Sequence, residues 1–413
     1  MEESRANRAD SVKGFIFALT LLEAPVFFAV YAVMGRTYEG SENSMSYVVY
    51  MVALLLIQVC FLIKQRRIRA NEFRWLLVPL LFVGLVWLSA IIYHTTLNVS
   101  IVRNILLWQY TGIILAINIH SFERRDCIIS SLILLMFLIT AGAVVNILLP
   151  FFRGRLFFAR AGYSLSGNSL QSQSYFIAAA AGLNLFFFAM QKRAKWAQIL
   201  AFGILAIQLV CAILAGGRGA MVLALVYCFV YYFYSNRNET DMRRKLQRML
   251  IYLVIFITLS IVLWRIIGTS SVLQQRLGRV FSYIGEGGID MSQTSNRDVL
   301  YSNALGLILR SPLFGHGITS YLYLSGLNRY PHNIILEFLI EGGLLYTSLW
   351  VALIISGFRR MRHHADADSY RIYLVLVLYA VIRLMFSGSY SFDMSFWFAV
   401  IFSNICNREV SPE

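Results

Sequence analysis

The sequence predicts an all-α polytopic membrane protein, and two observations carry that prediction. The first is composition: the 413 residues are 58% hydrophobic and only 14% charged, where soluble proteins carry roughly a quarter charged residues. The second is pattern. Apolar runs recur from end to end, about twelve of them, each close to the roughly 20 residues that cross a bilayer. Strands of a membrane β-barrel would instead alternate in polarity over about ten residues, and these runs do not.

Taken in order, the runs lie at 14–34, 45–63, 75–93, 101–119, 127–149, 174–190, 197–215, 219–235, 249–267, 332–355, 372–388 and 392–406. A tight GGRG turn alone separates the seventh from the eighth. The run after Lys13 is long enough to span and lacks a small-residue cleavage site, so it reads as a helix and not as a removable signal. Cys60, Cys127, Cys211, Cys228 and Cys406 are scattered in or beside apolar runs without metal spacing, and read as small hydrophobes. The chain is read as a single integral-membrane domain, 1–413.

Orientation comes from the basic residues of the short loops. Arg5, Arg8 and Lys13 precede the first run, and alternate loops read KQRRIRANEFR, ERRD, QKRAK, NRNETDMRRKLQR and FRRMRHHADADSYR. Both termini are therefore expected in the cytoplasm. The net charge of +15 is a topology signal spread over one membrane face, and no nucleic-acid partner is expected from it. Two segments on the other face are substantial, at 150–173 and 268–331. In the second, Leu300, Ala304, Leu307 and Ile308 recur at helical spacing, predicting short amphipathic helices on the outer surface.

The outer arginines break the charge rule. All five lysines fall on the cytoplasmic side, yet Arg36, Arg153, Arg155, Arg160, Arg218, Arg276, Arg279, Arg297, Arg310 and Arg329 fall outside, with Arg103, Arg265 and Arg383 towards the outer ends of spans. Arginine without lysine points to planar, two-pronged recognition of an anion such as a diphosphate. The alternative is that individual arginines snorkel or meet lipid head groups. Arg218 stands between two spans, flanked by Gly216, Gly217 and Gly219, which allow close approach of a ligand to the backbone. It could equally cap the preceding helix through its last carbonyls.

The stretch RYPHNIILEFLIEGGLLY, 329–346, opens the tenth run on that outer face and carries ionisable groups into it. Such groups normally face a bundle interior or a wet cavity. His332 can act as a general base on an incoming hydroxyl, or be an interfacial histidine bonded to loop backbone. Glu337 can orient His332 or serve as an alternative base; Glu341, beside Gly342 and Gly343, is expected to pair with an arginine of the bundle. There is no P-loop, no G-x-S-x-G, no H-E-x-x-H and no Cys/His cluster, so neither a cofactor nor a metal is expected.

Three segments in order, LAGGRGAMVLAL, SNRDVLYSNALGLILRSPLFGHGITSY and PHNIILEFLIEGGLLY, resemble the bacterial O-antigen polymerase and O-antigen ligase superfamily. The matching positions are Arg218, Arg297, the turn Pro312–Gly315–Gly317, and His332, Asn333, Leu336 and Glu337. RAGYSLSGNSLQSQSYF resembles the family's earlier outer loop, with Arg160, Gly162 and Asn168 in place. Gly217 departs from the serine that commonly precedes the arginine.

The resemblance implies a membrane glycosyltransferase with its active site on the periplasmic face of the inner membrane. It implies a donor glycan on a polyprenyl (undecaprenyl) diphosphate lying among membrane lipids. The acceptor would be a second glycan or the lipid A-core of lipopolysaccharide, and a chain-length regulator would be a further partner. Arg103, Arg160, Arg218 and Arg297 would hold the diphosphate; His332 with Arg297, Arg218 and Glu337 would form the catalytic set. Asn168, Gly315, Gly317 and Asn333 would position loop and substrate, with inversion at the anomeric carbon. Polymerase is expected ahead of ligase. From another class, a transporter or flippase would place its charges near the bilayer midplane, often within repeats; here they gather towards one face.

Overall fold

The computed structural model describes residues 2–35, 45–65, 69–95, 99–122, 125–153, 170–190, 195–236, 243, 246, 284–285, 288–289, 297–326 and 330–406. These are overwhelmingly helical. Among the described residues nine helices are long and apolar enough to cross a membrane, or up to ten if one sharply bent pair counts as a span. The predicted ninth run, 249–267, lies outside the described residues.

The first predicted span is not straight. Helix α1 (Glu2–Leu21) and α2 (Glu23–Val33) meet at Leu22 with a bend of 92°. Pro25 has no N–H to give the Leu21 carbonyl, which removes a helical bond at that point. Next come α3 (Met45–Lys64), α4 (Ala70–Leu76), α5 (Val78–Ile92) and α6 (Val99–Asn118). Then follow α7 (Asp126–Ala143), α8 (Leu149–Phe152), α9 (Leu170–Leu183), α10 (Lys195–Ala215) and α11 (Arg218–Ser235). Two π-helical turns, Val144–Leu148 and Asn184–Ala189, extend α7 and α9.

Between α11 and the next span the structure shows a two-residue antiparallel pair, Ile284–Gly285 with Gly288–Ile289. It is followed by α12 (Arg297–Arg310) and the short α13 (Ser320–Leu324). Leu300, Ala304 and Leu307 are buried on one face of α12, the spacing the sequence shows, against Tyr321 and Ile340. The chain then forms α14 (Ile334–His364), α15 (Ala367–Phe386) and α16 (Met394–Ile405). Helix α16 has 12 residues, about 18 Å at 1.5 Å per residue, well short of the roughly 30 Å hydrocarbon core.

The bundle centres on α6, α7, α9, α15 and α16, with α2 against α7, α16 laid along α6, and α11 against both α9 and α15. Leu56, Ile63, Trp87, Ile199 and Phe229 stay exposed, as a lipid-facing apolar surface requires. Inside, some polar side chains bond from one helix to the next. Asn184 donates to the Ala201 carbonyl at 2.8 Å, and Gln208 donates to the Thr140 hydroxyl at 2.8 Å, linking α9's π-turn, α10 and α7. Interhelical bonds of this kind are worth about 0.6–2 kcal/mol each in a membrane protein.

Candidate functional site

Arg218 opens α11 after a turn in which Gly216 takes a φ of 77°. Next to it, Gly219 lies hard against α9 and α15: a β-carbon there would approach Phe386 Cβ to 2.7 Å and overlap the Tyr175 hydroxyl. A side chain at 217 would likewise run into Ser174, whose Cβ would stand 2.7 Å away. Glycine on both sides of Arg218 therefore lets two helices meet at the arginine.

Arg297, the first residue of α12, donates from Nη2 to the carbonyl of Phe386 at 2.6 Å. Phe386 ends α15, where carbonyls lack helical partners. One turn earlier on α15, Arg383 forms an ion pair with Asp393 and lies 5.4 Å from the centre of the Tyr379 ring. The Tyr175 hydroxyl is buried without a hydrogen-bond partner among the described residues, and the charges of both Arg297 and Arg383 reach it. So the start of α11, the start of α12 and the end of α15 converge on Tyr175.

Three residues of the tenth run divide the labour at its opening. Asn333 caps α14, its side-chain oxygen accepting from the N–H groups of Ile335 (3.0 Å) and Leu336 (3.2 Å). His332, half-buried, has a φ of 53°, a left-handed conformation uncommon for a non-glycine residue. Strain of this kind persists where surrounding structure over-determines it. Glu337 is buried, and its carboxylate accepts from the Ser389 hydroxyl and, at 3.4 Å, from the Tyr390 N–H. Ser389 follows closely on the α15 end that Arg297 holds, so the helix that follows His332 and the arginine cluster share the 387–393 loop.

Glu341 departs from expectation. Among the described residues its partners are the Thr319 N–H at 2.7 Å and the Tyr390 hydroxyl, not an arginine. Neutral donors suffice because they come pre-aimed from α13's cap and from the 387–393 loop, and they satisfy the carboxylate without a second buried charge. Tyr390 in turn pairs with the Tyr346 hydroxyl at 2.8 Å.

The Pro312–Gly317 turn has an unexpected partner as well. The sequence reads α14 as one continuous run, but Gly343 breaks it with φ 64° and ψ −159°. The turn docks into that break through main chain alone. His316 N–H donates to the Ile340 carbonyl and Gly317 N–H to the Glu341 carbonyl, both at 2.7 Å, and Leu344 N–H donates to the Pro312 carbonyl at 2.8 Å. Gly315 (φ 66°) and Gly317 (φ 99°) supply the backbone freedom the turn requires. Behind it, Tyr321 donates to the Leu300 carbonyl at 2.8 Å, and burial pushes its hydroxyl up to about 12.

Arg103 lies in α6 and donates to its neighbour Asn104 at 3.2–3.3 Å. Asn104 lines a cavity of ≈ 440 Å³ inside the bundle, together with Arg383, Asp393 and Ser389. Arg160 and Asn168 lie outside the described residues. The structure thus joins Arg218 and Arg297 at one end of α15 and links Glu337 to the same loop. It adds Asp393 and Tyr175, which sequence alone does not single out, and pairs Asp393 with Arg383. Their signal is faint: one arginine and one aspartate ten residues apart across a GSYS turn.

Fold and site together define a multi-pass helical membrane protein with an arginine-rich site where a polar loop meets the spans. Residues 203–351 match the family described as O-antigen ligase, which bears out the resemblance of this chain to the O-antigen polymerase and ligase superfamily. That stretch contains Arg218, Arg297, the docking turn, His332, Glu337 and the Gly343 break; Arg103, Arg383 and Asp393 fall outside it. No curated protein matches the chain.

Proposed function

We propose that this chain is a membrane glycosyltransferase that polymerises polyprenyl-diphosphate-linked oligosaccharide repeat units into a surface polysaccharide at the outer face of the cytoplasmic membrane. The observation that carries the reading is the convergence of Arg218's helix start, Arg297 and Arg383 on the end of α15, beside the loop bonded to Glu337. A guanidinium has five N–H donors. Among the described residues Arg297 uses one on Phe386, and in this reading the others meet phosphate oxygens. Fixed positive charge is what a departing diphosphate needs as its bond breaks.

In this reading the acceptor hydroxyl attacks the anomeric carbon as the bond from that carbon to the diphosphate oxygen breaks. The proton passes to His332, and the polyprenyl diphosphate leaves against the arginines. Attack opposite the leaving group inverts the anomeric centre. The reaction needs no metal or cofactor, because arginines neutralise the leaving group. In this reading Arg103 and Arg160 are assigned to the diphosphate as well, and Asn168, Gly315, Gly317 and Asn333 to positioning loop and substrate, with Arg160 and Asn168 outside the described residues. A second reading, transfer of the finished glycan to lipid A-core or another acceptor, is favoured by the family description itself, O-antigen ligase.

The test uses purified protein in liposomes, without added metal, and a polyprenyl-diphosphate-linked repeat unit. A ladder of lengthening lipid-linked glycans, abolished in Arg297→Ala and His332→Ala at normal expression, is the expected result. Transfer only when a core acceptor is added makes the chain a ligase. Normal product from both variants overturns the site, and silence under both conditions overturns the reaction in favour of transport.

A further inference from the structure

The bend between α1 and α2 places Glu23 inside the bundle, only 7% exposed, in a run whose sequence otherwise reads as a plain span. Glu23 lines the ≈ 440 Å³ cavity and accepts a hydrogen bond from the Tyr47 hydroxyl. The same cavity is faced by Ser100, Asn104 and Trp108, a stripe at four-residue spacing along one side of α6. Trp108 lies 6.1 Å from the Tyr47 ring, centre to centre. Across the space stand Arg383 and Asp393, which neutralise each other. Tyr330 closes a further wall, its phenol pushed up by burial and by the Glu337 and Glu341 charges, so it stays a neutral donor.

Two carboxylates and one guanidinium, that of Arg383 already paired with Asp393, therefore line this cavity, whereas Arg218 and Arg297 stand outside its lining at the end of α15. A diphosphate belongs with the arginines. A cavity of a few hundred cubic ångströms with convergent carboxylate, amide and hydroxyl groups beside aromatic rings suits a ring bearing hydroxyls on its edges and C–H groups on its faces. Carboxylates accept such hydroxyls strongly, and aromatic faces cover the C–H side. We infer that the Glu23 cavity is a subsite for a sugar ring of neutral or amino-bearing type, held by Glu23 and Asn104 against Trp108, and that it disfavours acidic sugars. This deepens the proposed function and rests on it for the sugar's origin, as the ring nearest the bond being made or broken. Glu23 is in this role a binding and specificity residue.

The experiment reads binding, not turnover. Protein in lipid nanodiscs is titrated with methyl glucoside, methyl glucosaminide and methyl glucuronide, with contact followed by saturation-transfer NMR. Saturation transfer to the first two and little to the third is expected. Glu23→Gln, nearly isosteric, should weaken the neutral glycosides about tenfold and narrow the gap to the glucuronide, at an unchanged melting temperature. Trp108→Ala should lose transfer to the ring's C–H protons. No transfer, equal binding of the glucuronide, or indifference to Glu23→Gln overturns the inference; so does transfer to farnesol in place of the sugars, which makes the cavity a lipid pocket. Sugar binding without any transferase product would instead overturn the proposed reaction and leave the subsite standing.

Discussion

The guanidinium of Arg297 holds the last carbonyl of α15, that of Phe386, at 2.6 Å. A helix in the loop segment is thereby fastened to a helix end in the bundle, beside the Arg383–Asp393 pair. Replacement by lysine tests what the contact is for. Lysine keeps the charge but loses the planar fork. Arg297→Lys is expected to lower glycan transfer about 10²–10³-fold, the usual consequence of removing one pre-aimed donor at a developing charge. Thermal unfolding in detergent, followed alongside, should change far less than transfer does.

Gly343 turns the chain in a region closed to other residues, and a β-carbon there would press on Phe314 N at 2.6 Å as well as on Leu313. Gly343→Ala should cost about 1–3 kcal/mol, the usual scale of forced backbone strain. The measurement is the urea midpoint of the purified protein. An unchanged midpoint would show that the docking of Pro312–Gly317 on the break carries no stability.

Tyr390 gives its hydroxyl to the buried Glu341 and is itself paired with Tyr346. Tyr390→Phe removes a donor from a buried carboxylate, a loss of about 1–3 kcal/mol. Tyr346→Phe leaves the Glu341 bond intact and should fall well below that. Comparing the two melting temperatures separates the carboxylate's need from the aromatic packing that both variants keep.

Asp366 caps α15 on the side opposite the site, accepting from the N–H groups of Asp368 at 2.9 Å and Ser369 at 2.8 Å. Burial would raise its carboxyl, but the bonds from Ser369 and Asp368 together with the Arg125 charge outweigh burial and hold it below the usual carboxylate range. A group whose folded-state value is depressed stabilises the fold at pH above its unfolded value, about 4, and loses that contribution as pH falls. Asp366→Ala should therefore lower the melting temperature at pH 7, and the difference from the unaltered protein should shrink below pH 4. A difference constant with pH would rule out the charged form as the source.

What could be read from sequence follows a physical division. Arg218, Arg297 and His332 stand out because charge in an apolar run, or arginine where lysine is absent, is expensive enough to be visible in a single chain. The α12 stripe of Leu300, Ala304 and Leu307 is a local pattern and appears as such, whereas Asn333 stands out only through the family resemblance and its capping of α14 comes from the structure. Arg383 shows as an arginine near the outer end of a span, but its pairing with Asp393 and the place of Tyr175 are not legible, since both are a meeting of segments that only packing creates. The breaks at Leu22 and Gly343 were the harder misses. Each is signalled by one proline or one glycine pair inside a run that hydropathy alone scores as continuous, and hydropathy averages over the residue that matters.

The seam between the Pro312–Gly317 turn and the broken α14 is written in peptide groups, without a side-chain bond across it. Side chains along the turn, such as exposed Leu313 and Phe314, are thus free to drift. Redrawing those two side chains leaves the landing point where it is. Such a joint keeps its register while the residue types around it change, because paired peptide groups ask nothing of the side chains beside them except at Gly315, Gly317 and Gly343.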